Sequence, residues 1–327
     1  MAVTGELDTG RLRPYLEAHV DGFTGPLEIE KFAGGQSNPT FRVSSASGTY
    51  VLRRQPPGDL LKSAHAVDRE FRVMAALRNT DVPVPRVLHL CEDRDVIGSM
   101  FYVMDFCDGR VFRDAALPEL ERSERAPIYE EMVRVLAAIH AVDLDATQLR
   151  EFGRPANYYE RQFIRWEGQY RASELEPIDA MEQLITWISR NLPPDDGRVS
   201  LVHGDFRLDN VIFEQNGPQA LAVLDWELAT LGHPFADLGY LCMLHRMPQG
   251  VGRISGLRGT DRDVLGLPSE TDLVARYCEH AGIGHIDSVG FYIAFSFFRL
   301  AAIIQGVAKR AVDGNASHPN AAELGGF

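Results

Sequence analysis

The amino-acid sequence predicts an α+β fold with two unequal lobes, a strand-rich amino-terminal lobe and a mainly helical carboxy-terminal lobe. The first hundred residues contain short apolar segments bounded by turn signals, such as TFRVSS (40–45) and TYVLRR (49–54), which are typical of strands. After Gly109 the apolar residues recur at helical spacing, as in residues 128–141. A length of 327 residues suits two domains or one two-lobed unit.

The amino-terminal lobe is predicted to cover residues 1–106. Asp8 precedes a segment whose Leu12 and Leu16 share one helical face, which indicates a helix capped by that aspartate. The remaining predicted elements of this lobe are strands at 27–33, 40–45, 49–54, 86–92 and 99–105, and a helix at 66–77. The boundary lies in the short segment 105–110, where the pattern changes from strands to helices.

The carboxy-terminal lobe is predicted to cover residues 107–327. Its helices are expected at 128–141, 158–170 and 178–191, followed by a compact strand-and-turn region at 199–225. Residues 291–308 form its most apolar stretch, with Arg299 near the centre. Because a central arginine makes membrane insertion costly, we interpret this stretch as a buried helix and not as a membrane span.

The composition excludes several classes of protein. Hydrophobic residues make up 45% and charged residues 24% of the chain, which are globular proportions. The net charge of −13 disfavours binding to nucleic acid and to an anionic membrane surface. Four scattered cysteines without a C-x-x-C pair, and a first segment without an apolar run, predict a cytoplasmic protein with free thiols.

The strongest functional signal is L-V-H-G-D-F-R-L-D-N-V-I-F at 201–213, which reads as strand, loop and strand. The loop carries His203, Asp205 and Asn210. A hairpin turn signal follows at Asn216-Gly217, and the return strand ends at Asp225.

The spacing of this hairpin suggests a chemistry. A symmetric hairpin places Asn210 and Asp225 at the same open end, with Asp205 one short loop away. An amide oxygen and a carboxylate are hard ligands that suit Mg²⁺, and a second carboxylate beside them can act as a general base. The arrangement therefore predicts phosphoryl transfer.

The motifs HGDFRLDN, LDWE and GHPFADLGY resemble the aminoglycoside phosphotransferase and choline kinase superfamily, and most closely the phosphotransferase-like domains associated with acyl-CoA dehydrogenases. The resemblance covers nearly the whole chain. It implies a protein-kinase-like bilobal fold, ATP and Mg²⁺ as cofactors, and a functional link to an acyl-CoA dehydrogenase. It also implies Asp205 as catalytic base and Asn210 and Asp225 as Mg²⁺ ligands, with His203 and Asp237 bracing the catalytic loop.

A kinase-like amino-terminal lobe needs a glycine turn over the triphosphate and a cation held by a helix carboxylate. The turn is predicted at Gly34, Gly35, Gln36, Ser37 and Asn38, which resembles the family's G-G-x-S-N form. For the cation we prefer Arg53 over its neighbour Arg54, with Glu70 on the next helix as its partner. Arg53 departs from the lysine that protein kinases carry, but its fork can also bind phosphate.

The last strand of this lobe leads into a predicted hinge that binds adenine. Adenine recognition would use backbone groups of Asp105, Phe106 and Cys107, with Met104 as an apolar neighbour. The alternative interpretation is a plain strand and turn.

The acceptor is predicted to be a small molecule with a hydroxyl group. The segment 243–270 carries the arginines 246, 253, 258 and 262, so it suits a neutral or anionic substrate better than a polycation. Because Asp261, Asp263 and Glu270 lie in the same segment, the alternative interpretation is a solvated loop of mixed charge. Together with the resemblance, this points to a hydroxy acid or hydroxyacyl-CoA. A helical stripe of Tyr159, Phe163, Trp166 and Tyr170 either packs in the core or lines an acceptor pocket.

Other functions stay open at this point. An aminoglycoside- or choline-type kinase and a nucleotide-binding pseudokinase that acts as a scaffold are the main alternatives. A protein kinase is disfavoured because no A-P-E element follows Asp225. A metallohydrolase using His203, Asp205, Asp225 and His233 would need three or four convergent ligands, and the hairpin gives His203 no evident path to the metal.

Overall fold

The computed structural model describes residues 7–32, 38–56, 66–250 and 255–313. The chain divides into two compact units. The first unit consists of Met1–Gly109 with Leu221–Ala229, and the second of Arg110–Ala220 with Thr230–Phe327. The sequence predicts a boundary between residues 106 and 107, whereas the first unit extends to Gly109. The first unit also includes Leu221–Ala229, which no local sequence pattern indicates.

The first unit is built on a five-stranded antiparallel sheet in the order β1-β2-β3-β5-β4. Its strands are β1 (Glu28–Lys31), β2 (Thr40–Ser45), β3 (Gly48–Arg54), β4 (Val87–Cys91) and β5 (Phe101–Asp105). Its helices are α1 (Thr9–His19), α2 (Val67–Leu77) and the short α3 (Arg94–Ile97). The strand-rich lobe that the sequence predicts is therefore present.

The core of the first unit forms between α1 and one face of the sheet. Leu12 and Leu16 of α1 are fully buried together with strand residues such as Val43, Leu52 and Val103. The Asp8 carboxylate accepts a hydrogen bond from the Arg11 amide, which caps α1 as predicted.

The second unit is mainly helical, as predicted. Its helices are α4 (Arg122–His140), α5 (Tyr158–Ser173), α6 (Asp179–Asn191), α7 (Phe235–Met243), α8 (Arg262–Leu265), α9 (Glu270–Ala281) and α10 (Val289–Val312). Its strands β6 (Ser200–Val202) and β9 (Thr230–Gly232) pair antiparallel, and β7 (Val211–Phe213) also lies in this unit. The strand β8 (Ala220–Val223) begins at the last residue of this part of the chain and continues into the first unit.

The helix α10 contains the apolar stretch noted in the sequence. By length and composition alone it could cross a membrane, but 56% of its most apolar 18-residue segment is buried inside the protein. It packs against α5, α6 and α7. At its centre the Arg299 guanidinium lies 5.6 Å from the ring centre of Trp166 and 5.8 Å from that of Tyr240. These contacts agree with the prediction of a core helix.

The segment Leu221–Ala229 is held to the first unit by specific bonds. The Val223 amide donates to the Pro83 carbonyl at 2.8 Å, and the Arg69 guanidinium donates to the Ala229 carbonyl at 3.3 Å. Trp226 is fully buried, and the short 3-10 helix Trp226–Leu228 packs against α2. These contacts bring Asp225 to the sheet residue Arg53.

Candidate active site

Arg53 lies at the centre of a charged cluster in the first unit. It stands on β3, the middle strand of the sheet, and its side chain is 13% exposed. Its Nε atom lies 2.9 Å from Glu70 Oε2, and its Nη2 atom lies 2.7 Å from Asp225 Oδ1. The sequence predicted the Arg53–Glu70 pair, and the contact with Asp225 is an addition from the structure.

Arg54 points to a different environment. It is 6% exposed, and its guanidinium donates to the backbone carbonyls of Gln55 and Ile97. Successive residues of a strand face opposite sides of the sheet, which explains why only one of the two arginines reaches Glu70.

Glu70 is held in place by a network of donors. Its side chain is buried, and it accepts hydrogen bonds from the Tyr102 hydroxyl at 3.0 Å and from the Asn38 amide at 2.9 Å. Burial raises the pKa of Glu70 above its ordinary value, although the Arg53 guanidinium opposes the shift. Burial lowers the pKa of Arg53, but the carboxylates around it, Glu70 foremost, outweigh burial and raise that pKa.

Three carboxylates meet in this cluster. One oxygen each of Glu70, Asp225 and Glu227 lies within 4.8 Å of the others. Glu227 Oε2 accepts a hydrogen bond from the Asn38 amide at 3.5 Å and lies 4.0 Å from the Arg53 guanidinium. Glu227 was missed by the sequence analysis, although it stands in the LDWE motif.

Asp225 adopts a left-handed backbone conformation, with φ at 64° and ψ at 58°. Few residues other than glycine adopt this conformation, and such strain is common at functional positions. It occurs at the residue that the sequence predicted as a metal ligand. With Glu227, Asp225 offers the hard carboxylate oxygens that Mg²⁺ prefers.

The backbone of the loop after β6 is held in place by the side chain of Asp237. This carboxylate is fully buried and accepts hydrogen bonds from the His203 amide at 2.7 Å and from the Gly204 amide at 2.8 Å. Gly204 has a φ of 85°, a conformation that glycine adopts without strain. The loop conformation therefore depends on a glycine and on a buried acceptor.

Burial raises the pKa of Asp237, but the hydrogen bond from His140, the neighbouring imidazoles and the Gly204 amide outweigh burial and hold the pKa below its usual range. His140 Nε2 lies 3.5 Å from Asp237 Oδ2, and its Nδ1 lies 2.7 Å from the Tyr277 hydroxyl oxygen. The sequence analysis missed His140, which lies at the end of α4, far from the motif.

His203 is fully buried at the base of this loop. Its Nδ1 atom accepts a hydrogen bond from the Asp205 amide at 3.2 Å. The ring packs edge-on against Phe206, with 5.9 Å between ring centres. His203 thus contacts the backbone of Asp205, which is the position that the family resemblance implied for a bracing residue.

Asp205 extends from the loop with its side chain 21% exposed. Its Oδ1 atom accepts a hydrogen bond from the Tyr240 hydroxyl at 2.7 Å, and its Oδ2 atom accepts one from the Asn210 amide at 3.0 Å. The Arg207 Nε atom lies 3.3 Å from the same Oδ2. A carboxylate that is oriented by donors and partly exposed is chemically able to accept a proton.

Tyr240 and Arg207 are functional candidates that sequence reasoning did not single out. Burial raises the pKa of Tyr240, and the charge of Asp205 raises it further, so the hydroxyl stays protonated and donates. Tyr240 ends the GHPFADLGY motif, which was the available signal.

Asn210 lies at the end of the 3-10 turn Leu208–Asn210 and is buried. Its Nδ2 atom donates to the Asp205 carbonyl at 2.8 Å as well as to the carboxylate. Within the described part of the chain, its amide oxygen Oδ1 accepts no hydrogen bond. Asn210 thus belongs to the second unit with Asp205, whereas Asp225 belongs to the first unit.

The predicted hinge follows β5. Met104 is buried, and the Asp105 carboxylate lies 3.0 Å from Arg86 Nε. The Phe106 ring lies under the Arg42 guanidinium. Among the described residues, the backbone groups of Phe106 and Cys107 have no hydrogen-bond partner.

The predicted glycine turn falls mostly outside the described residues, which include Asn38 but not positions 34–37. Asn38 itself is fully buried and bonded to Glu70 and Glu227. The aromatic stripe of α5 is buried, which favours the core interpretation: its members Tyr159, Phe163, Trp166 and Tyr170 are each less than a tenth exposed.

Comparison with known proteins identifies one family. The family described as Phosphotransferase enzyme family matches residues 28–268. The chain is 50% identical to mouse acyl-CoA dehydrogenase family member 10 over 302 residues, covering 92% of the chain and 28% of that protein. It is 41% identical to human acyl-CoA dehydrogenase family member 11 over 317 residues, covering 95% of the chain and 40% of that protein. The chain thus spans less than half the length of these two relatives.

Solved structures agree with this assignment. The crystal structure of a Ralstonia eutropha protein named for the aminoglycoside phosphotransferases is 46% identical, covers 98% of the chain and 94% of its own, and has a TM-score of 0.88. Spectinomycin phosphotransferase in complex with ADP and spectinomycin is 12% identical with a TM-score of 0.63, covering 98% of the chain and 93% of its own. At that identity the likeness concerns the fold alone.

Proposed function

We propose that this chain, which belongs to the phosphotransferase enzyme family, is an ATP- and Mg²⁺-dependent kinase that phosphorylates a hydroxyl group of a small molecule. The observation that carries the proposal is the setting of Asp205. Its carboxylate is oriented by Tyr240 and Asn210 and remains open to solvent. A base so placed can accept the proton of an acceptor hydroxyl.

The donor atoms of the two proposed ligands are of the type that a magnesium ion takes. Asp225 offers carboxylate oxygens, and Asn210 offers an amide oxygen that accepts no hydrogen bond from the described residues. Both are hard ligands of the kind that Mg²⁺ takes beside phosphate oxygens. When bound, the ion would neutralise charge on the phosphates. We propose these two residues as its protein ligands, with Glu227 as a further candidate.

The first unit supplies the proposed nucleotide site. Arg53 would bind phosphate oxygens, oriented by Glu70 at 2.9 Å. The backbone groups of Phe106 and Cys107, which have no hydrogen-bond partner among the described residues, would bind the adenine edge, against the apolar side of Met104. Spectinomycin phosphotransferase was solved with ADP, which supports a nucleotide donor for this chain. The glycine turn at 34–38 stays a proposal.

For the acceptor we propose a hydroxy acid or its acyl-CoA thioester. The arginines of segment 243–270 support an anionic substrate, and relatives named as acyl-CoA dehydrogenase family members support a link to acyl-CoA chemistry. We further propose that the enzyme acts in the cytoplasm, a proposal supported by four free cysteines. An aminoglycoside is the competing acceptor, because several proteins of similar fold are named for aminoglycosides.

A panel assay tests this proposal. The full chain is incubated with ATP and Mg²⁺ and with hydroxy acids, their CoA thioesters, choline and aminoglycosides, and ADP formation is measured. We expect turnover with a hydroxylated acid or thioester. Turnover with an aminoglycoside alone would refute the acceptor class, and ATP binding without turnover of any acceptor would favour the pseudokinase.

A further inference from the structure

A cavity of about 710 Å³ lies in the second unit, between the end of α7 and the start of α9. This volume is in the range of sites that hold small molecules. The polar side chains on its walls that matter here are His245, Arg246, Arg258, Arg262, Glu270 and Thr271. Three of these residues, Arg246, Arg258 and Arg262, belong to the segment 243–270 that supports the proposed anionic acceptor.

His245 is an unpartnered polar group in the wall of this cavity. It is only 4% exposed, and neither of its ring nitrogens has a hydrogen-bond partner among the described residues. Burial lowers the pKa of His245 to about 4, and the nearby Arg262 lowers it as well. The ring is therefore neutral at pH 7 and offers one donor and one acceptor. Buried polar groups normally have partners, so an unpartnered imidazole here points to a ligand.

The charged groups on the walls are mostly basic. Arg246 is paired with Glu270 through two hydrogen bonds of 2.8 Å each. Within the described part of the chain, the guanidinium groups of Arg258 and Arg262 form no hydrogen bond and no ion pair. The nearby Asp261 and Asp263 are exposed and do not line the cavity. Two guanidinium groups without a hydrogen bond or ion pair among the described residues thus line one cavity, which suits an anionic oxygen group.

The helix α7 connects this cavity to the candidate base. Tyr240 of α7 donates to Asp205, and His245 follows five residues later, directly beyond the helix end at Met243. At 1.5 Å per residue this is a separation of roughly 8 Å along the helix axis. The group that orients Asp205 and one wall of the cavity are thus contributed by α7 and the residues directly after it.

We propose that this cavity binds the anionic end of the acceptor, a carboxylate or a phosphate, through Arg258 and Arg262, with His245 as an additional hydrogen-bonding group. The proposal rests on the proposed function, since it names the substrate end that lies away from the reacting hydroxyl.

Isothermal titration calorimetry on the full chain tests this site. The probes are butyrate, which carries only a carboxylate, CoA, which carries phosphates, and pantetheine, which carries neither charge. The variants are the double substitution Arg258→Ala with Arg262→Ala, and Arg276→Ala as a matched control. Arg276 is an exposed arginine of α9 that does not line the cavity.

We expect at least one of the two anions to bind and pantetheine not to bind. The double variant should lose at least tenfold in affinity, the control should stay within twofold, and ADP affinity should not change. Butyrate binding would assign a carboxylate, and CoA binding without butyrate binding would assign a phosphate. Absence of binding by both anions, or equal affinity of the double variant, would overturn the proposal.

Turnover measured on the same samples separates this inference from the proposed function. If the double variant loses anion binding but no hydroxylated anion is phosphorylated, the site stands and the acceptor class fails. If a hydroxylated anion is phosphorylated with the same KM by the double variant and the wild type, the acceptor class stands and this site fails.

Discussion

The side chain of Asp205 illustrates what single residues contribute to the candidate site. Its position in H-G-D-F-R-L-D-N predicts it as the catalytic base. The groups that orient it could not be found in the same way, because Tyr240 is 35 residues away and its contact depends on how α7 packs. A short motif can thus single out a candidate residue, whereas the hydrogen-bond partners of that residue depend on tertiary structure.

Replacing Tyr240 by Phe tests this orientation. The change removes one donor to the carboxylate but keeps the ring, and a hydrogen bond to a charged group contributes about 1.5–3 kcal/mol. We expect kcat to fall roughly 10- to 100-fold by that energy scale, with little change in the affinity for ADP. Steady-state kinetics with the acceptor from the panel, together with calorimetry for ADP, measures both quantities.

The matched control for this prediction is Tyr159→Phe. The Tyr159 hydroxyl is buried and has no hydrogen-bond partner among the described residues. Its removal should therefore leave kcat unchanged. If both variants keep wild-type kcat, Tyr240 has no role in positioning Asp205.

Arg53 is a second residue whose place could be predicted in part. Alternation along β3 separated Arg53 from Arg54, but the sequence alone left open which of them faces Glu70. In the structure Arg53 contacts Glu70, whereas the Arg54 guanidinium donates to the backbone carbonyls of Gln55 and Ile97. The contact with Asp225 was not predictable, since it depends on a segment 172 residues further along the chain.

At the scale of elements, the strands of the first unit and the helices of the second follow their sequence patterns closely. The predicted helix at 66–77 is α2 (Val67–Leu77), and the predicted strand at 40–45 is β2 (Thr40–Ser45). The catalytic loop also lies between two strands as expected. Local patterns do not predict the side chains that hold this loop in place. Asp237 of α7 accepts hydrogen bonds from the loop backbone, and His140 of α4 contacts Asp237.

Replacing Asp237 by Asn tests the support of the loop. The amide keeps one acceptor but places an NH₂ group beside backbone donors, so one buried hydrogen bond is lost. We expect the free energy of unfolding at pH 7 to fall by about 1–3 kcal/mol. Urea unfolding followed by circular dichroism measures the difference.

The same variant gives a pH dependence with a definite sign. The pKa of Asp237 is held below its usual range in the folded protein. The contribution of Asp237 to the free energy of unfolding is therefore fully present above its pKa in the unfolded chain, about 3.9. This contribution is lost as the pH falls through the lower pKa of the folded protein. The stability difference between wild type and Asp237→Asn should be constant from pH 7 to pH 5 and shrink below about pH 4. A difference that grows on acidification would contradict this account.

At the scale of the whole molecule, the sequence predicted the fold class and the family, and the comparisons confirm both. It did not predict that Leu221–Ala229 joins the first unit, because that grouping arises from contacts with Pro83 and Arg69 that no local pattern encodes. The acceptor is also beyond local patterns, since relatives of similar fold are named for different substrates. We propose that the arginine-lined cavity favours an anionic acceptor over a cationic one.

The most direct test of the central claim is the pair of variants Asp205→Asn and Asp209→Asn, which lie in the same loop. We expect Asp205→Asn to bind ADP with Mg²⁺ as the wild type does but to lose about 10²- to 10⁴-fold in kcat. Asp209→Asn, which removes a carboxylate that contacts Arg207 at 3.1 Å, should keep kcat within a fewfold. A kcat of Asp205→Asn close to that of the wild type would contradict the assignment of Asp205 as the catalytic base.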